Sequence, residues 1–436
     1  MQAEVGLAVF AILVALYGGI GIILGRWSIT MPMVFVVAGA LMGTYALNLI
    51  RLSPSNEVVR LLAETTLVIL LFADASTLSF RSVESDAVVP ARLLGVGLLL
   101  TLFLGAVIAF ILFPDQGVGF ALLVASILAP TDAALGLPIF TNPKVPVRIR
   151  RALNVESGLN DGIATPFVTL FLSLAVAEES HRQSGWLLSA VEQIGIAVLV
   201  GIAVGWLGGR FLLYAHKRGW TAGTPLQVAV LALALASYLG SVGLGGNGFV
   251  AAFVGGIAFG VGSRGHLAEF AEYSETTGSV LSLLVWGLFG ALFVMPAAVG
   301  NFDPKVILYA LLSLTLIRML PVFISLYGLG FRLDTRLLMG WFGPRGLASV
   351  VFGLLAYEEL NQANVESSML ASVVTWTILL SVLAHGLSAQ PLAGWYARRL
   401  ASAGGDLPEL QDVPEVVRRQ NILPGVPINE QSSSGQ

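Results

Sequence analysis

The segment SILAPTDAALGLPIF, Ser126–Phe140, sets Thr131 and Asp132 between two prolines inside an apolar run. Pro130 and Pro138 each remove a backbone donor, and Gly136 weakens the helix between them. The reading predicts a helix interrupted in mid-span, with Thr131 and Asp132 at the gap. A matching interruption is expected in GWFGPRGLASVVFGLL, Gly340–Leu355, around Gly343, Pro344, Arg345 and Gly346. Broken backbone at bilayer depth is tolerated only where it faces protein or water. One Gly/Pro-interrupted span in each half points to an inverted-repeat secondary transporter with its site at the crossing. Asp132 and Arg345 would then offset the half-helix dipoles that converge there.

Working outward, the whole chain is apolar. Of its 436 residues 56% are hydrophobic and only 11% charged, with a mean hydropathy of +0.85. A water-soluble protein of this length carries more charge than that. Apolar runs long enough to span a bilayer recur throughout, which gives an all-α polytopic membrane protein. We count thirteen transmembrane spans, near 5–25, 30–50, 59–78, 92–113, 118–139, 152–177, 189–213, 225–242, 246–262, 278–298, 305–327, 337–357 and 369–394. The first lacks the basic start and small-residue cleavage site of a signal peptide, and is read as a retained span. One set of loops holds Arg26, Arg81, Arg92, Lys144, Arg148, Arg150, Arg151, Lys217, Arg218, Arg264, Arg332, Arg336, Arg398 and Arg399. The alternate set holds only Arg51, Arg60, Arg182 and Lys305. That asymmetry places the C-terminus in the cytoplasm and the N-terminus outside a cell membrane. Residues 1–400 form the transmembrane domain, and 401–436, polar and rich in Pro, Gly and Ser, read as a disordered cytoplasmic tail. The chain has no cysteine, and its four histidines, His181, His216, His266 and His385, are scattered. No cofactor is expected, and nothing points to nucleic acid.

Few ionisable residues fall deep in the spans: Asp74, Asp132, Glu156, Asp161, Arg318 and Arg345, with Glu64 nearer an outer end. A charge at bilayer depth costs about 2.5–3.5 kcal/mol or more, so such residues pair or line a wet path. Two arginines can privately neutralise two of the four acids, which leaves at least two for an ion or proton pathway. In NVESGLNDGIATP, Asn154–Pro166, Ser157 and Asp161 share a helical face, as do Glu156 and Asn160. Glu156 and Asp161 stand about 140° apart around the helix. Ser157 and Asp161 are therefore assigned to the site, and Glu156 to a neighbouring helix, with Arg318 of LIRMLPVF as its cation.

These pieces resemble the first monovalent cation–proton antiporter family, the NhaP-like sodium–proton exchangers. The resemblance rests on LLFADAS, APTDAA, ESGLNDG, LIRMLP and GPRGLAS, in the family's order and spacing. It implies a homodimer in which a six-helix core moves against a dimerisation domain by alternating access. It implies that Asp161 carries Na+ and H+ alternately, with Thr131, Asp132 and Ser157 completing the Na+ site. Asn160 is by resemblance a marker of electroneutral one-for-one exchange, Glu156 and Arg318 a structural ion pair, and Asp74 a residue of the cytoplasmic approach. Ala133 follows Asp132 where many members have proline.

The expected activity is transport, not enzymatic catalysis: Na+ or Li+ exchanged for H+ by competition at Asp161, in the service of pH homeostasis. The alternatives are K+/H+ exchange on the same fold and, more remotely, a cation channel or an intramembrane hydrolase using Asp132 and Asp161. GLGGNGF, Gly243–Phe249, reads as tight packing between helices. NPKVPVRIRR, Asn142–Arg151, reads as a topology-setting loop, and HLAEFAEYSE, His266–Glu275, as a solvated amphipathic turn.

Overall fold

The structure is a computed structural model, described here over residues 2–77, 87–140, 142–179, 185–300, 303–403 and 407–411. Among these residues every regular element is a helix. In chain order they are α1 (Gln2–Arg26), α2 (Met31–Met42), α3 (Glu57–Ser76), α4 (Val88–Leu112), α5 (Gly117–Leu128) and α6 (Ala133–Phe140). Next come α7 (Val147–Glu179), α8 (Trp186–Lys217), α9 (Thr224–Gly243), α10 (Gly248–Gly262) and α11 (Ala268–Val299). The chain closes with α12 (Pro304–Ser325), α13 (Leu333–Trp341), α14 (Leu347–Gln362) and α15 (Ser368–Ala401).

Eight of these helices are long and apolar enough to cross a membrane: α1, α4, α7, α8, α9, α11, α12 and α15. The other five expected spans correspond to the short α2 and α10, the charge-bearing α3, and the interrupted pairs α5–α6 and α13–α14. Large apolar side chains on α1 and α8, among them Leu7, Ile12, Leu16, Leu188 and Leu199, face outward. An apolar exterior of this kind suits lipid rather than water.

The two interruptions meet. Irregular backbone at 129–132 separates α5 from α6, and irregular backbone at 342–346 separates α13 from α14. The amide of Asp132 donates to the carbonyl of Pro344 at 2.8 Å, tying one to the other. The first break is narrower than expected: Gly136 and Pro138 lie inside α6 rather than in the gap. Asp132 explains this, because its Oδ1 accepts from the Ala134 amide at 2.6 Å and restarts the helix at once. The second break coincides with the Gly343–Gly346 cluster.

Three further stretches depart from straight helix. Wide π turns occur at Leu93–Gly97 and Gly290–Val294. Thr315 leaves helical geometry between Leu314 and Leu316, one turn before Arg318.

Elsewhere helices touch backbone to backbone. A Cβ on Gly205 of α8 would collide with the carbonyl of Gly255 in α10, and one on Gly39 of α2 with the carbonyl of Gly287 in α11. At the end carrying the basic loops, Leu407–Gln411 pack against the bundle. Arg148 donates to the carbonyl of Pro408 at 2.7 Å, and buried Glu409 accepts from the Arg332 amide and the Thr335 hydroxyl. The rest of the expected disordered tail, 404–406 and 412–436, lies outside the described residues, as do Arg81, His181 and Arg182.

Candidate ion-binding site

The crossing gathers polar groups from four helices. Asp132, half-buried, accepts at Oδ1 from Ala134 and at Oδ2 from the Leu347 amide at 3.1 Å. One carboxylate thus meets the positive ends of both α6 and α14, where negative charge is favoured. Gly346 is required beside it, since a Cβ there would lie inside the van der Waals envelope of the Asp132 side chain.

Thr131 is the hub of the neutral groups. Its Oγ1 accepts from Asn160 Nδ2 at 2.6 Å and lies 3.2 Å from Ser157 Oγ. All three side chains are buried. Ser157 and Asn160 stand three apart on α7, so both can reach one partner. The four-residue pairing used above to sort the faces of α7 therefore does not separate Asn160 from Ser157. Asn160 Oδ1 is buried and accepts no hydrogen bond among the described residues. Asp161 sits half-buried in the next position of α7, and its carbonyl accepts from Thr165 Oγ1 at 2.8 Å. Asp74 is half-buried near the end of α3, with its carbonyl bonded by Thr77 Oγ1 at 2.9 Å.

Glu156 turns away from this group. Arg318 Nη1 donates to its Oε1 at 2.6 Å, and both side chains are only 3% exposed. A Cβ on Gly343 would overlap the Arg318 guanidinium, so the second interruption makes the room in which this pair forms.

Arg345 is fully buried and forms no salt bridge among the described residues. It donates instead to the carbonyls of Gly343 and Ser313, each at 3.1 Å. Ser313 lies in the last turn before the Thr315 irregularity, and the Gly343 carbonyl lies in the second break, so the cation serves backbone acceptors where the helical ladder ends. Two residues that sequence reasoning missed brace this arrangement. Ser381 Oγ accepts from the Arg345 amide at 2.7 Å, and His385 Nε2 lies 2.9 Å from the carbonyl of Trp341, at the end of α13. Their four-residue spacing in the apolar stretch SVLAH of α15 was the available signal.

A sequence profile described as sodium/hydrogen exchanger, transmembrane, matches residues 10–395. The chain belongs to the sodium/hydrogen exchanger family. It is an NhaP-like member of the monovalent cation–proton antiporters, as its five motifs imply. A Na+/H+ antiporter of Schizosaccharomyces pombe is 27% identical over 321 residues, covering 66% of this chain and 67% of the yeast protein. The Na+/H+ antiporter ApNhaP of Aphanothece halophytica is 23% identical over 90% of this chain and 73% of its own length. The K+/H+ antiporter NhaP2 of Shewanella sp. (strain ANA-3) is 25% identical over 61% of this chain, which spans 46% of that relative. Among solved structures, the sodium proton antiporter MjNhaP1 of Methanocaldococcus jannaschii superposes with a TM-score of 0.71. That match is 20% identical and covers 91% of this chain and 100% of the other. It shows a shared fold.

Proposed function

We propose that this exchanger moves Na+ one way and H+ the other, one for one, with Asp161 as the shared carrier. The observation that carries the reading is the cluster of Thr131, Ser157 and Asn160 at the helix crossing, beside Asp161, in a chain of this family. Their oxygens, with Asp161 and Asp132, are the hard ligands that a small alkali cation prefers. A carboxylate in a half-dry cavity holds a proton more firmly, while a cation nearby competes for it. Asp161 then holds either H+ or Na+, and no net charge crosses in a full cycle. Asp132 contributes chiefly through the field it sets at the two helix starts. Asn160 supplies a neutral amide where a second acid would bring a second charge, and Asp74 lies on the approach from the cytoplasm. Glu156 and Arg318 hold α7 to α12 and take no part in transport. We further propose thirteen crossings, a homodimer in the cell membrane, an outer N-terminus and a cytoplasmic C-terminus.

The test is reconstituted exchange with membrane potential clamped. Asp161→Asn should abolish Na+-driven proton flux, by about 100-fold or more, as expected when the only group exchanging the proton is removed. It should still yield a folded protein. Flux near the wild-type level in that variant would sink the assignment, and voltage-dependent flux would sink one-for-one exchange. The Shewanella relatives are K+/H+ antiporters, which makes K+ the second reading; direct competition among Na+, Li+ and K+ decides between them.

A further inference from the structure

A cavity of about 940 Å³ opens between α3, α7, α8, α9, α10 and α14 at the end opposite the basic loops. Two features of its lining are unlike ordinary packing. The first is a ladder of hydroxyls on α7. Thr165, Thr169 and Ser173 all line the cavity, each four residues beyond the last, and each donates to the carbonyl one turn back. The ladder starts at the carbonyl of Asp161. With their protons committed to backbone, the hydroxyl oxygens are left to act as acceptors toward the cavity. Among the described residues, only the middle rung accepts from another side chain, Asn247 Nδ2 at 2.7 Å.

The second feature is a group of acids on α3 and α14. Glu64 of α3 and Glu358 of α14 share one cation, Arg60, at 2.8 and 3.4 Å. Tyr238 donates to Glu64 Oε2 at 2.8 Å, and Gln362 to Glu358 Oε1 at 3.1 Å. Glu358 is 7% exposed, yet its Oε2 accepts no hydrogen bond among the described residues. Glu359 adds a third carboxylate to the lining. A buried carboxylate oxygen without a donor is costly. At the rim of an acidic cavity, a cation is the ligand that would satisfy it. Arg60 is 40% exposed in its side chain, and so can swing aside into solvent.

We propose that this cavity is the access route on the face away from the basic loops. In it Glu358, with Glu64, holds an incoming monovalent cation, still partly hydrated, before it descends the Ser173–Thr169–Thr165 ladder to Asp161. Arg60 occupies the same carboxylates when the cation is absent. The inference rests on the exchange reading above, and it adds a second, sided cation station to it.

The chain has no cysteine, so Ser173→Cys can be labelled alone. A membrane-impermeant thiol reagent should modify it from the cavity face only, and Na+ should slow the reaction. In proteoliposomes, Glu358→Gln should raise the apparent KM for Na+ offered on that face about 10-fold, and leave the opposite face unchanged, because local field concentrates a cation on one side only. Arg60→Gln should lower the same sided KM, which loss of a structural contact would not do. A folded Glu358→Gln with unchanged KM, or an equal rise on both faces, overturns the proposal. So does a Ser173→Cys variant that resists labelling or labels from the other face. If the wild-type chain exchanges no Na+ for H+, the function proposed above falls instead, and the labelling with its Na+ protection still reads the cavity by itself.

Discussion

The two helix interruptions are built from similar residues and do opposite work. The first, at 129–132, contributes reactive groups: Thr131 for the polar cluster and Asp132 for the helix starts. The second, at 342–346, contributes space and a cation. Gly346 makes room for Asp132, Gly343 makes room for Arg318, and Arg345 serves the carbonyls of Gly343 and Ser313. Anionic groups meet amides and the cationic group meets carbonyls, so each charge is matched to a pole of broken backbone. The crossing is thus a reciprocal fit in which neither break is complete without the other. Substitutions at and around the crossing test that division of labour.

Glu156→Gln should have the largest effect on stability. It leaves Arg318 buried without its anion, a change that typically costs about 3–5 kcal/mol, read as a lower melting midpoint in detergent. Adding Arg318→Met should recover much of the loss, since no buried charge then remains. Failure of the double variant to recover would mean that the pair also positions the second break. Gly346→Ala comes next, at about 3 kcal/mol, because its Cβ has nowhere to go beside Asp132. Gly195→Ala in α8 is the control: nothing lies within 4 Å of its Cβ, and the change should gain up to about 1 kcal/mol. Equal melting for the two would dissolve the argument that the second break is shaped around the first.

Asp132→Asn should cost about 1–2 kcal/mol, as one of its two capped amides meets an NH2 group instead of an oxygen. It should also weaken Na+ binding without abolishing exchange, and complete loss of exchange would move the carrier role toward Asp132. The smallest effect is expected at the start of α13, before the expected span. The hydrogen-bonded guanidinium of Arg332 holds the Asp334 carboxyl below its ordinary value. A depressed carboxylate contributes stability above its unfolded pKa and loses it as pH falls through the folded one. Acid unfolding of the wild type should therefore extend below about pH 4, the ordinary range of an aspartate. Arg332→Gln should shift that transition upward, and an unshifted acid transition would remove the pair from the stability of this corner.

The breaks were legible because proline, glycine and charge coincide where a span should be uninterrupted, a combination with few other uses. The ion pair was legible from two signals: Glu156 and Asp161 cannot face one way, and Arg318 is one of only two arginines deep in the expected spans. Asn160 was harder. A three-residue and a four-residue step are both near neighbours on a helix, and only the position of Thr131 selects between them. Thr165, Thr169 and Ser173 passed unnoticed because hydroxyls that bond their own helix are unremarkable in an apolar sequence. Glu358 and Tyr238 were missed for another reason: polar groups at span ends look like ordinary boundary residues until a cavity joins them. Glu409 lies in a stretch whose composition matches a disordered tail. One buried carboxylate taking two donors does not alter composition.

The glycine seams between α8 and α10, and between α2 and α11, bear on mechanics. Where backbones touch with no side chain between them, there is no flexible layer to deform. Sliding one helix along the other by a single residue would drive a larger side chain into a carbonyl. These pairs behave as stiff plates with high resistance to shear. The polar crossing has no such lock, being held by individual hydrogen bonds near 3 Å, each of which can be exchanged for another. Compliance in this molecule is therefore concentrated at the crossing, and the seams serve as its fixed frame of reference.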